Sequence, residues 1–194
     1  MYEYTDKVLK RLVREIHRQF EAYRGMKYDE LNVFNRVKNL YSTLADLNEK
    51  AYKDIGQHYY AEEGGEDDTL GMDFLIATLL VNPNALTKYI YSNEVTRKRD
   101  RLVEALQSTG GNPEEYDKAA RYWTLMTGWY AVEVTDATVL KAWKERGVKR
   151  VRWRTEHDDK VCEVCRGLDG EIFDIDKIPT KPHPNCRCWW EIVE

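Results

Sequence analysis

Apolar residues recur every three or four positions through most of residues 1–147, the spacing that gathers them on one face of an α-helix. Val8, Leu9, Leu12, Val13, Ile16 and Phe20 predict a first helix over residues 5–24, closed at Gly25. Leu31, Phe34, Val37, Tyr41, Leu44, Ala51, Tyr52, Ile55 and Tyr59 predict a longer second one. The acidic, glycine-bearing EEGGEDD at 62–68 should break it as an exposed loop. TLGMDFLIATLL (69–80) reads as a short buried helix stopped at Asn82-Pro83. Leu86, Ile90, Val95, Leu102, Val103 and Leu106 predict another, ended by Gly110-Gly111. Asn112 can cap the next, Pro113 suits its first turn, and Glu114 and Glu115 favour the positive end of its dipole. Tyr116, Ala120, Trp123, Met126, Tyr130, Val134, Ala137 and Leu140 form its stripe, and Gly147 closes it. These stripes imply a helical core, with faces free to meet a partner.

At residue 148 the period changes to two. In VKRVRWRT, Val151, Trp153 and Thr155 point one way and Arg150, Arg152 and Arg154 the other. EIFDI (171–175) and CWWEIV (188–193) read as two more strands. The fold class is therefore α+β. A mostly helical body spans 1–147, and a small β-containing module spans 148–194.

Composition narrows the function. Apolar residues make up 42% and charged residues 33%, a globular balance. A net charge of −4 argues against a polycation that coats nucleic acid. The first twenty residues mix charges and show no apolar signal region. The longest apolar run, FLIATLLV (74–81), is too short to span a bilayer. A reducing compartment follows, and there clustered cysteines point to metal rather than disulfides.

Every cysteine falls between residues 162 and 188. The pattern is Cys162-x2-Cys165, then His183-x2-Cys186-x-Cys188. A structural zinc site needs four sulfur or nitrogen ligands, and five candidates stand here. Cys162, Cys165 and Cys186 are the first choices, with either His183 or Cys188 as the fourth. Few aliphatic residues lie beyond 148, so a zinc staple would also answer a stability problem. A redox or disulfide pair is the competing reading. His17 and His58 lie in helical stripes and read as ordinary structural histidines.

The nucleobase deaminases pair H-x-E with P-C-x-x-C, and neither occurs here. A His-Asn-His nuclease would use His183 and Asn185, but its second catalytic histidine is missing. The acids of EIFDID read as strand and turn residues. Arg150, Arg152 and Arg154, with Trp153 for stacking, make a candidate nucleic-acid contact. The plainer reading is a solvated strand face with tryptophans packed inside.

The segment W-x3-HDDKVCEVCRGLDGEIFDI, followed by PHPNCRC, resembles the C-terminal domain of the phage Mu F-like proteins. That family shows a helix, a G-V-x4-W strand, an aspartate before C-x2-C, then LDG and HPNCRC. Gly147-Val148, Trp153, Asp158 or Asp159, Leu168-Asp169-Gly170 and His183 to Cys188 match these parts. The resemblance covers roughly residues 125–190. The preceding helix lacks the family's usual Arg-Thr-Glu stretch. The resemblance implies a minor head, or head-morphogenesis, protein of a tailed bacteriophage. Such a protein is non-enzymatic and takes no small-molecule substrate or membrane. It sits in the virion near the portal after assembly in the host cytoplasm. Its partners would be the portal, the inner capsid or scaffold, and packaged double-stranded DNA, and it would assist head assembly and DNA ejection. The alternatives are a phage-associated zinc nuclease or nucleic-acid-binding factor, and a host zinc-ribbon adaptor.

Overall fold

The computed structural model describes residues 2–65, 71, 91–183 and 186–193. Apart from Gly71, the helix expected at 69–80 and the start of the one carrying Leu86 and Ile90 lie outside the described residues.

Helix α1 (Glu3–Arg24) buries Thr5, Val8, Leu12, Ile16 and Phe20, one stripe at helical spacing. Helix α2 (Val33–Glu62) buries Val37, Leu40, Leu44, Tyr52 and Ile55 against it. It begins two residues later than its apolar pattern predicted. Leu31 is 93% exposed and Phe34 is 45% exposed, so neither belongs to the core. The reason is local: Asp29 holds Leu31 N–H at 3.1 Å and the Asn32 amide at 2.7 Å, and this turn precedes the helix. Helix α3 (Tyr91–Ser108) buries Leu102, Val103 and Leu106.

Helix α4 (Glu114–Glu145) is the axis of the bundle and packs against α1, α2 and α3. Asn112 Oδ1 accepts from Glu114 N–H at 3.0 Å, the cap its sequence predicted. The far end closes on Gly147, whose φ of 86° only glycine adopts freely. Val148 N–H reaches Trp143 O and Gly147 N–H reaches Lys144 O, which satisfies two of the last carbonyls. Inside the bundle, Asn48 donates to Thr127 Oγ1 at 2.9 Å, and Tyr52 OH donates to Thr127 O. These bonds fix α2 against α4 in the middle of an otherwise apolar contact.

Three strands follow: β1 (Arg150–Arg154), β2 (Ile172–Asp174) and β3 (Trp189–Val193). They pair antiparallel in the order β2-β1-β3. The register sets Trp153 opposite Trp190 and Val151 opposite Phe173. Residues directly opposite share a face, so these four form the inner side of the sheet. The Trp153 and Trp190 rings meet edge to face at 5.0 Å. A short helix that the strand pattern did not predict, α5 (Glu163–Leu168), begins at Cys162. Among the described residues, one cluster of buried side chains runs from the helices through the sheet to Cys165, Cys186 and Cys188. No described helix is long and apolar enough to cross a membrane.

Candidate metal centre

The first two thiols sit at the start of α5. Cys162 caps the helix, and its Sγ accepts from Cys165 N–H at 3.4 Å. One turn of helix therefore places both sulfurs on one side. The loop after β2 brings the other donors to them. His183 Nε2 lies 3.1 Å from Cys162 Sγ and 3.8 Å from Cys165 Sγ. Cys186 Sγ lies 3.6 Å from Cys165 Sγ. Two groups of potential ligands result: Cys162, Cys165 and His183, and then Cys165, Cys186 and Cys188. Within each, the donor atoms lie within 4.8 Å of one another, and Cys165 belongs to both. A small cavity of about 20 Å³ opens between them.

This arrangement fits a metal ion. Bonds of about 2.0–2.3 Å in a tetrahedron set the ligand atoms roughly 3.3–3.8 Å apart. The separations of 3.1, 3.6 and 3.8 Å in the cluster are close to that size. Sulfur and imidazole donors suit zinc-like ions rather than magnesium or calcium. The four cysteines are free thiols. Burial pushes the Cys165 thiol up to about 12, while hydrogen bonding from Cys188 draws Cys186 down to about 6. The Cys165 amide lowers Cys162. The thiols thus share protons unevenly, and an ion would displace those protons from its ligands.

Residues around the cluster hold its shape. Arg187 grips both oxygens of Asp158, at 2.5 and 2.7 Å, and so ties the Cys186–Cys188 segment to the approach of α5. Asp169 Oδ1 accepts from Thr155 N–H, and its Oδ2 lies 3.0 Å from His157 Nε2. Gly170, with φ 86°, turns the chain from α5 into β2 and donates to Trp153 O. The LDG residues are therefore the hinge between the first thiol pair and the sheet.

Residues 98–191 match the family described as Phage Mu protein F like protein. This region belongs to the phage Mu F-like family. The match begins well upstream of the sequence motifs, which reached back only to about residue 125, so it takes in most of α3 and all of α4. No curated protein and no solved structure matches the chain.

The Mu F-like region handles its arginines differently from the nucleic-acid reading. Arg152 Nη1 meets Glu191 Oε2 at 3.0 Å, and Arg154 Nε approaches the same oxygen at 3.9 Å. Arg150 lies opposite Asp174 in the ladder. The strand thus faces carboxylates across the sheet. Trp153 corrects the stacking expectation: it is fully buried, because alternation turns it inward beneath Trp190. The acids of 171–176 are structural where their partners are seen. Asp176 pairs with Lys144 at 2.7 Å. Of the two helical histidines, His58 stacks on Tyr4 at 3.6 Å and His17 is exposed.

The Mu F-like region also buries charges that the sequence reading missed. Lys181 is 3% exposed and meets Asp136 of α4 at 2.6 Å. The one signal was an aspartate inside the apolar run from Val134 to Leu140. Glu133 lies close by, with Oε1 buried and unpartnered among the described residues. Burial, then the Asp136 charge, pushes its carboxyl up to about 7. A raised folded value favours the protonated form. The stabilisation is therefore complete below the unfolded value near 4.5 and is lost as pH rises through about 7. Urea titrations should show stability falling by about 2 kcal/mol between roughly pH 5 and 8 from this group. Glu133→Gln is expected to flatten that slope. An unchanged slope would remove Glu133 as its source.

Proposed function

We propose that this protein is a non-enzymatic minor capsid, or head-morphogenesis, protein of a bacteriophage. On this reading it binds the portal and inner head, assists assembly and DNA ejection, and carries a structural zinc. The match of residues 98–191 to the Mu F-like family carries the phage reading. The helical body over 1–147 would offer the partner surface, and the module over 148–194 the rigid end.

Cys162, Cys165 and Cys186, with His183 or Cys188, would hold the zinc, and the ion would draw together the two groups that Cys165 already joins. Bound there, the ion would cross-link α5 to the C-terminal loop and neutralise the thiolates. Of the acids around the cluster, Arg187 occupies Asp158 and His157 faces Asp169, while Glu156 lines the cavity itself. A hydrolytic zinc would need an open position and an adjacent base, and Glu156 is the residue to substitute in testing for one.

Co-expression with the portal of the same phage tests the assignment. A stable portal complex, without cleavage of DNA in magnesium or manganese, is the expected result. DNA cleavage abolished by His183→Ala would replace this reading with a nuclease. The five donors make a second prediction. His183→Ala and Cys188→Ser should each retain stoichiometric zinc with reduced affinity, and the double variant should lose it. Zinc lost from either single variant would show that ligand to be essential.

A further inference from the structure

Three segments far apart in sequence meet at one buried carboxylate. Asp136 of α4 accepts from Tyr2 OH on Oδ1, and the Lys181 ammonium stands 2.6 Å from its Oδ2 as an ion pair. Asp136 is 7% exposed and Lys181 is 3% exposed. Tyr2 stands just before α1, and Lys181 Nζ also lies over its ring, 5.2 Å from the centroid. The Tyr2 ring meets Tyr59 edge to face at 6.0 Å. The next turn of α1 is seated by the same neighbours. Thr135 Oγ1 donates to Ala131 O, which leaves it to accept from Thr5 Oγ1 at 2.8 Å. Thr5 N–H reaches Tyr59 OH at 3.4 Å.

Lys181 belongs to the loop that delivers His183 and Cys186 to the thiols of α5. Among its described residues, that loop has no strand or helix of its own between β2 and β3. Its first part is held by Ile175 N–H on Lys149 O and by Asp176 on Lys144, and its later part by Lys181, the ligand cluster and the Arg187–Asp158 pair. Fixing the cluster therefore fixes the far side of the segment that carries Lys181. Freeing it lets Lys181 leave for water, and Asp136 then faces α1 with a buried charge opposed only by a tyrosine hydroxyl. A carboxylate so placed draws in water or turns outward, and either movement unseats Tyr2.

We propose that Asp136 is the junction of a latch that couples the metal loop to the first turn of α1. Metal in the thiol–imidazole cluster holds Lys181 on Asp136, and Asp136 in turn holds the N-terminal end of the helical body closed. The proposal rests on the metal reading above.

Hydrogen exchange on the full chain tests it, after metal analysis has established that the protein holds zinc. Chelation should speed exchange of the amides from Asp6 to Lys10 about tenfold, a usual size for coupling between sites. Amides around Leu106 in α3 should keep their protection. Lys181→Met, loaded with zinc, should already exchange at the faster rate in α1. Tyr2→Phe, which keeps the ring and so preserves folding, should retain zinc, exchange faster there and respond little to chelation. Unchanged exchange in α1 after zinc is removed would overturn the latch while leaving the metal reading intact. Native protection in zinc-loaded Tyr2→Phe would do the same. A protein that takes up no zinc would overturn both.

Discussion

Cys165→Ser is expected to strip the metal from the protein and to unfold the sheet of residues 150–193. Cys165 is the one donor common to both ligand groups among the described residues. Its sulfur lies 3.6 Å from Cys186 and 3.8 Å from His183, so it links the α5 side of the cluster to the loop side. Serine keeps the volume but gives a poor zinc ligand at neutral pH, since the thiolate is what binds. Losing another donor leaves four candidates, but losing Cys165 removes the bridge. Structural zinc is worth on the order of 10 kcal/mol in small modules, comparable to the whole stability of a domain. The sheet has little else of its own: three short strands around Trp153, Trp190 and Val151. Metal content and tryptophan fluorescence should fall together in the variant, while far-ultraviolet circular dichroism keeps most of its helix signal. Stoichiometric zinc in the purified variant would count against the site as drawn.

The second large effect is expected at the Lys181–Asp136 pair. Both groups are almost wholly removed from water, so each charge depends on the other. Removing one partner leaves the other buried and uncompensated, at a cost of about 3–5 kcal/mol. Lys181→Ala should therefore lower urea-unfolding stability by about that amount, far more than a surface lysine would. Replacing both with apolar residues of similar size, Lys181→Met with Asp136→Leu, should recover most of the loss. The double-mutant cycle isolates the pair from the packing of the lysine stem. A loss below about 1 kcal/mol in the single variant would mean that water reaches the pair.

Much of this structure follows from periodicity. The apolar stripes of α1, α2 and α4 bury most of the residues that their spacing selects, because a helix face must be covered by another. The alternation in VKRVRWRT put Val151 and Trp153 inside and the arginines outside. The cysteine spacing selected five donors that the fold does bring together. Other features are set by partners distant in the chain. Nothing near Lys181 announces that it is buried, because Asp136 lies 45 residues upstream. The exposure of Leu31 and Phe34 depends on an aspartate turn that overrides the hydrophobic pattern. Glu191, which meets Arg152 and Arg154, sits on a strand whose register only the folded sheet defines. Trp153 shows the converse: alternation already pointed it inward, away from the stacking role considered for it.

Helix α4 runs unbroken for 32 residues, which at 1.5 Å per residue makes a rod of about 48 Å. One end starts beside Tyr28 and the turn that joins α1 to α2; the other delivers the chain to β1 and the thiol cluster. The remaining helices brace it along its length. The protein therefore carries two unlike surfaces at a fixed distance: the α1–α2 turn and start of α2, where Leu31 and Phe34 are exposed, and a compact cysteine-rich knob. A partner gripping both would be measuring length, and the molecule would act there as a spacer whose dimension the helix sets.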